Sequence, residues 1–154
     1  MVTGFSPTPN YILASTASIA FLMAAALTHW LVAWHHQVPL SLALVLSSIW
    51  FHTQRTQVSY IADQAMILLW GLGALYEAWM RGPIPLSITF LVVAYNVLVF
   101  YVGWLGNCFA FDPEFHISTF FHSTVHFVSF FGTFAILVLM PQPELLTIKF
   151  MAIK

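Results

Sequence analysis

The sequence predicts an all-α integral membrane protein, a compact antiparallel bundle of about five transmembrane helices forming one membrane domain over residues 1–154. Three observations carry this. Hydrophobic residues make up 60% of the chain and charged ones 6%, with a mean hydropathy of +0.88, whereas soluble domains carry about a quarter charged residues. The apolar residues run continuously and do not alternate with polar ones in the ten-residue segments of a membrane β-barrel. Polar and Pro/Gly punctuation cuts the chain into five runs, to be compared with the about 20 apolar residues that a helix needs to cross a bilayer.

The first run, about 11–34, lacks a basic leader and is longer than a signal-peptide core of about 7–15 apolar residues, so it reads as a mature span. The second, about 39–54, opens on Pro39, which suits a first helical turn because its missing N–H would be unpaired there anyway. It is short, and its polar end belongs in or just inside the membrane interface. The third, about 58–80, stops before Arg81, Gly82 and Pro83, where Gly and Pro end a helix. The fourth covers about 85–105. The fifth, about 114–140, starts after Asp112 and Pro113, with acids favouring a helix N-terminus, and ends before Pro141.

Short connections make neighbouring helices antiparallel. The end of the second helix and the starts of the third and fifth therefore converge on one face, A. Arg81, Lys149 and Lys154 fall near the opposite face, B, and the excess of Lys and Arg there predicts that B is cytoplasmic. The N-terminus and face A are then non-cytoplasmic. A formal net charge of -1 leaves no basic footprint for nucleic acid. Cys108 is the sole cysteine, which rules out an intrachain disulfide and a Cys-based metal site. The seven histidines are the plentiful metal ligands.

Five polar side chains are directed to face A. Ser48 and His52 are four residues apart and share a face of the second helix, Asp63 lies in the first turns of the third, and His122 and His126 form an i, i+4 pair on the fifth. Ionisable groups in hydrocarbon cost about 2.5–3.5 kcal/mol each in charged form, and a metal ion offsets that. Two histidines at i, i+4 present both imidazoles to one ion, and a third from a neighbouring helix completes a three-nitrogen site. Zinc suits imidazole, and a catalytic zinc keeps three protein ligands plus water; another divalent transition metal fits the same ligands. Zinc lowers the pKa of its water toward about 7, which is what a hydrolase needs inside a membrane. Elsewhere, Glu77 and Arg81 are spaced for an i, i+4 pair, Trp30, Trp34, Trp79 and Trp104 suit interface belts, and Tyr95 and Asn96 can touch substrate or bond across helices. His116, six residues before His122, faces another direction.

The segments Ser48-Ile-Trp-Phe-His52-Thr, Asp63, and His122-Ser-Thr-Val-His126 followed by Phe131-Gly132-Thr133 together resemble the CREST superfamily. That superfamily groups alkaline ceramidases with adiponectin-receptor-like, GPI-anchor-remodelling and myomaker-like membrane proteins. The eleven-residue step from His52 to Asp63 and the aromatic lead-in look closest to alkaline ceramidases. The resemblance implies that His52, His122 and His126 bind zinc, that Asp63 accepts the proton of water, and that Ser48 is a polar partner of water or oxyanion. It covers two blocks, roughly 44–68 and 116–135. Three departures stand out. Seven spans are usual in the family, with three between the aspartate helix and the His-x-x-x-His helix, where this chain has one. The lost pair preserves parity but thins the wall around a lipid, which points to a homo-oligomer or an open lateral groove. Residues 1–10 hold no acid, so a calcium segment is not expected, and Val125 stands where an aromatic is usual.

The expected function is an intramembrane zinc-dependent hydrolase of a lipid entering from the bilayer, cleaving the amide of a ceramide-like N-acyl lipid or, second, a phospholipid ester. The alternative is a receptor-like, non-catalytic lipid-binding membrane protein with a structural zinc. A metal or proton pathway is the weakest reading, since it needs a polar line to face B.

Overall fold

The computed structural model describes residues 9–32 and 36–139, and every element in that range is helical. The order is α1 (Tyr11–Val32), α2 (Gln37–Gln54), α3 (Gln57–Arg81), α4 (Pro83–Val97), a π-helical stretch (Leu98–Val102), α5 (Gly103–Gly106), a 3₁₀ turn (Phe109–Phe111), α6 (Phe115–Phe134) and a second π-helical stretch (Ala135–Leu139). Pro83–Gly106 is one continuous rod, so the bundle has five long helices. Four of them, Tyr11–Trp30, Gln57–Arg81, Pro83–Gly106 and Phe115–Leu137, are long and apolar enough to cross a membrane. α2 is the exception, because Gln37, three serines and His52 dilute its apolar content.

Local chemistry sets the helix ends. Asn10 caps α1, its Oδ1 accepting from Leu13 N at 3.0 Å, as an N-cap amide should. α2 starts two residues before Pro39 and ends on Arg55, which takes a left-handed conformation (φ 53°) and donates its N–H to Phe51 O. Thr56 and Ser59 form a reciprocal capping box at the start of α3, which satisfies two otherwise orphaned donors. Gly82, at φ 108°, makes the reversal that a side chain would resist, and Pro83 opens α4.

The helices close a ring: α1 packs on α2, α2 on α3, α3 on α4, α4 on α6 and α6 on α1. Cross-helix pairs give the directions. Asp63 meets Ser47, Trp70 meets Ser41 and Gly73 meets Gln37, so α3 runs antiparallel to α2. Phe100 meets His122 and Val92 meets Gly132, which makes α6 antiparallel to α4. Asn10 N donates to His52 O at 2.8 Å and Asn10 Nδ2 to Thr119 Oγ1 at 2.9 Å. The start of α1, the end of α2 and the first turns of α6 therefore share one end of the bundle, the face-A convergence expected from helix parity.

α1 approaches closely because Ala14, Ala17, Ala20, Ala24 and Ala25 form its buried stripe, and small residues let membrane helices come near one another. At the opposite end Arg81 pairs with Glu77, which also meets His36 Nε2 at 3.5 Å. Trp30, Trp79 and Trp104 are exposed, as belt residues would be. Trp34, Lys149 and Lys154 lie outside the described residues.

Candidate metal centre

Two helices, α2 and α6, supply three imidazoles to one point. His52 sits two residues before the end of α2, and His122 and His126 lie on successive turns of α6. One ligand nitrogen from each lies within 4.8 Å of the others, and the rings are edge-on or tilted, with centroids 5.0 to 5.8 Å apart. All three residues are buried. This is the His-x-x-x-His plus His set singled out by spacing.

The fit to a metal rests on His52. Both of its ring nitrogens are buried without a hydrogen-bond partner, an arrangement that costs about 1–3 kcal/mol for an unsatisfied polar group. A cation held between the three rings satisfies one of those nitrogens and leaves the neutral donor set that zinc prefers. His126 is already oriented, with Nδ1 3.1 Å from Thr16 Oγ1, which also lies 3.2 Å from Leu13 O. If the threonine gives its proton to that carbonyl, it accepts from His126 Nδ1–H and leaves Nε2 as the lone-pair nitrogen, the usual outer arrangement of a metal-ligating histidine. Phe100, in the π-helical stretch, stacks edge-on against His122 at 4.9 Å. Wide turns of this kind recur at functional sites.

Asp63, buried on α3, accepts from Ser47 Oγ at 3.1 Å and also interacts with the side chain of Ser48. Ser48, Asp63, His122 and His126 together line one end of a cavity of about 570 Å³, well inside the range of small-molecule sites. The remainder of its wall is mostly apolar and comes chiefly from α3, α4, α6 and the π-helical stretch after α6, with residues such as Ile67, Trp70, Val92 and Ile136. Leu68, Leu72, Phe90, Val93, Val97 and Tyr101 line it and are also exposed. The cavity therefore opens sideways between α3 and α4.

Some sequence-level candidates take other places. His116 is exposed, lies against Phe115 and is not part of the imidazole cluster. Asn96 donates to Ser129 Oγ at 3.3 Å and the Tyr95 hydroxyl meets Thr124 Oγ1 at 2.5 Å, so both bond across helices. Three participants escaped the sequence reading: Ser47, Thr16 and Asn10. Ser47 adjoins Ser48, and only the crossing of α2 with α3 shows that both hydroxyls reach Asp63. Thr16 and Asn10 stand in or beside the first span, whose half at face A carries no His, Asp, Glu, Lys or Arg to attract notice. No family model, curated protein or solved structure matches the chain.

Proposed function

We propose that the chain is an intramembrane zinc-dependent lipid hydrolase, cleaving the amide of a ceramide-like N-acyl lipid or an ester. One observation carries the reading: three clustered imidazoles, a carboxylate and a hydroxyl stand at the end of an apolar cavity that opens sideways. The resemblance of the two sequence blocks to the CREST superfamily supplies the reaction class.

Zinc, or another divalent transition metal, held by His52, His122 and His126 would supply an acidified water and a positive charge facing the scissile carbonyl. Asp63 is the proton carrier: it takes a proton from the attacking water and returns it to the leaving amine or alcohol. Ser47 holds that carboxylate in register through its 3.1 Å hydrogen bond. Ser48 donates its O–H to the oxyanion that develops on the carbonyl. Trp70, Phe100 and Val125 wall the site and keep bulk water off the acyl chain. The lipid enters between α3 and α4 from the bilayer, or across a groove completed by a second copy. The excess of Lys and Arg near face B in the sequence supports a reaction on the non-cytoplasmic face, with the C-terminus in the cytosol.

The test uses purified protein with labelled N-acyl sphingolipid and phospholipid panels, read as released fatty acid. The expected result is release by wild type and loss in His122→Ala. No release above His122→Ala in any panel overturns catalysis in favour of a lipid-binding protein with a structural zinc.

A further inference from the structure

The depth of the cavity can be read independently on three helices. Its lining runs from Asp63 to Leu75 on α3, from Tyr101 back to Thr89 on the rod that α4 begins, and from His122 to Ile136 on α6 and the π-helical stretch that continues it. At about 1.5 Å rise per residue these stretches measure about 18, 18 and 21 Å. An extended chain advances about 1.2 Å per bond, taking about 3.6 Å for the three backbone bonds of a residue. The cavity therefore has the length of about fifteen to seventeen bonds.

On α3 the lining follows a helical stripe through Asp63, Ile67, Gly71 and Ala74, with Gly71 near its middle. A Cβ placed on Gly71 meets nothing within 4 Å. The other glycines at helix crossings behave differently: a Cβ on Gly73 would stand 2.6 Å from Gln37 Nε2, and one on Gly132 2.5 Å from Val92 Cγ2. Those two are needed for helices to touch. Gly71 makes no such contact, and a helix-interior glycine costs about 1 kcal/mol relative to alanine. What its missing side chain provides is open cavity.

We propose that Gly71 sets the acyl-chain length of the lipid this cavity accepts. A chain of about 16–18 carbons, by the same rise-per-bond count, lies from the imidazole cluster past Gly71 to Ile136. The direction of the chain, carbonyl at the cluster, rests on the hydrolase reading. A methylene leaving bilayer for this cavity exchanges one apolar medium for another, so selection arises from space and not from hydrophobic transfer. A bulky side chain at position 71 would close the cavity eight residues from Asp63, about 12 Å along the helix. Room would remain for about ten bonds.

The experiment compares full-length wild type with Gly71→Ala, Gly71→Leu and Gly71→Phe. Ala65→Phe serves as a bulk control, because Ala65 is exposed on α3 outside the cavity lining. Two quantities are measured over chain lengths from C8 to C20: turnover of N-acyl lipids, and displacement of a fluorescent fatty acid by free fatty acids, which cannot be hydrolysed. Wild type and Ala65→Phe are expected to peak at about C16–C18. Gly71→Phe should peak at C10 or shorter, with its C16-to-C10 preference reduced about tenfold or more and Gly71→Leu in between. An unchanged length profile in helical, monodisperse Gly71→Leu or Gly71→Phe overturns the assignment, as does a flat profile in wild type. Length-dependent fatty-acid binding with no lipid cleaved overturns hydrolysis alone and leaves the chain site standing. Turnover with a profile indifferent to position 71 does the reverse.

Discussion

Replacing His52 by leucine should leave the metal-free protein as stable or more so and remove most of the stabilisation that zinc gives. The side chain is buried and neither ring nitrogen has a partner, so the metal-free protein bears a cost of about 1–3 kcal/mol for unsatisfied polar groups. Leucine has similar bulk and no polar atom. In chelator, His52→Leu should therefore unfold at the same free energy as wild type or up to about 1–3 kcal/mol higher. In zinc the balance shifts toward wild type by about 2 kcal/mol. At free zinc a hundredfold above its dissociation constant, wild type gains about 2.7 kcal/mol. The variant has lost one of three ligands, and even an outer partner of a ligand is worth about 10–100-fold in affinity. Its gain at the same zinc should fall below about 1 kcal/mol. Equilibrium unfolding in detergent, run for both proteins in chelator and in zinc, supplies all four numbers. The reasoning fails if the variant is less stable than wild type in chelator while keeping the full zinc response, because the nitrogens would then be bonded within the protein and no ion would need them.

Thr16→Val should weaken zinc about 10–100-fold by removing the 3.1 Å partner of His126 Nδ1, measured by competition with a chromophoric chelator. Ser48→Ala should lower kcat about 10²–10³-fold at unchanged zinc content, as loss of an oxyanion donor does. Ser47→Ala removes only the bond that positions Asp63 and should cost about three- to tenfold; equal effects of the two serines in the same turnover assay would undo that division of roles. Gly132→Leu must move Val92, whose Cγ2 would lie 2.5 Å from the new Cβ, and should destabilise the bundle by about 1–3 kcal/mol, read as a lower thermal midpoint.

Most of the architecture is legible in the sequence because a bilayer imposes helix length and parity together. Five helices joined by short connections leave few arrangements, and parity alone places Ser48, His52, Asp63, His122 and His126 at one end. The helix boundaries that fall among the described residues lie within about two residues of expectation, since Pro39, Gly82 and Pro83 act locally; the expected ends near 34 and 140 fall outside them. What stays hidden depends on rotation about helix axes. Ser47 and Ser48 differ by one residue, and no periodicity argument tells which faces α3 when both do. Thr16 becomes visible only once α1 is known to pack on α6. Gly71 and Gly73 are equivalent as letters; the difference between a helix crossing and a cavity wall exists only in three dimensions.

The least apolar of the five helices is also heavily enclosed. Nine of the eighteen residues of α2 are buried, among them Gln37, Ser41, Ser47, Ser48 and His52, whereas α4 buries only Pro85 and Thr89 over its first fifteen residues. In water a polar helix would migrate to the surface; in hydrocarbon its polar groups must turn inward and find partners. The partners visible here are side chains of α3, since Ser41 takes Trp70 Nε1–H and Ser47 gives to Asp63. His52 stands apart, at the end of that polar ladder with neither nitrogen served. The alanine stripe of α1 and the Gly132 crossing bring helices close around it, and the same enclosure that protects the polar helix from lipid leaves an imidazole set that matches a metal ion. Fold and site are then one arrangement: a metal at the cluster would satisfy the helix that the bilayer accepts least readily.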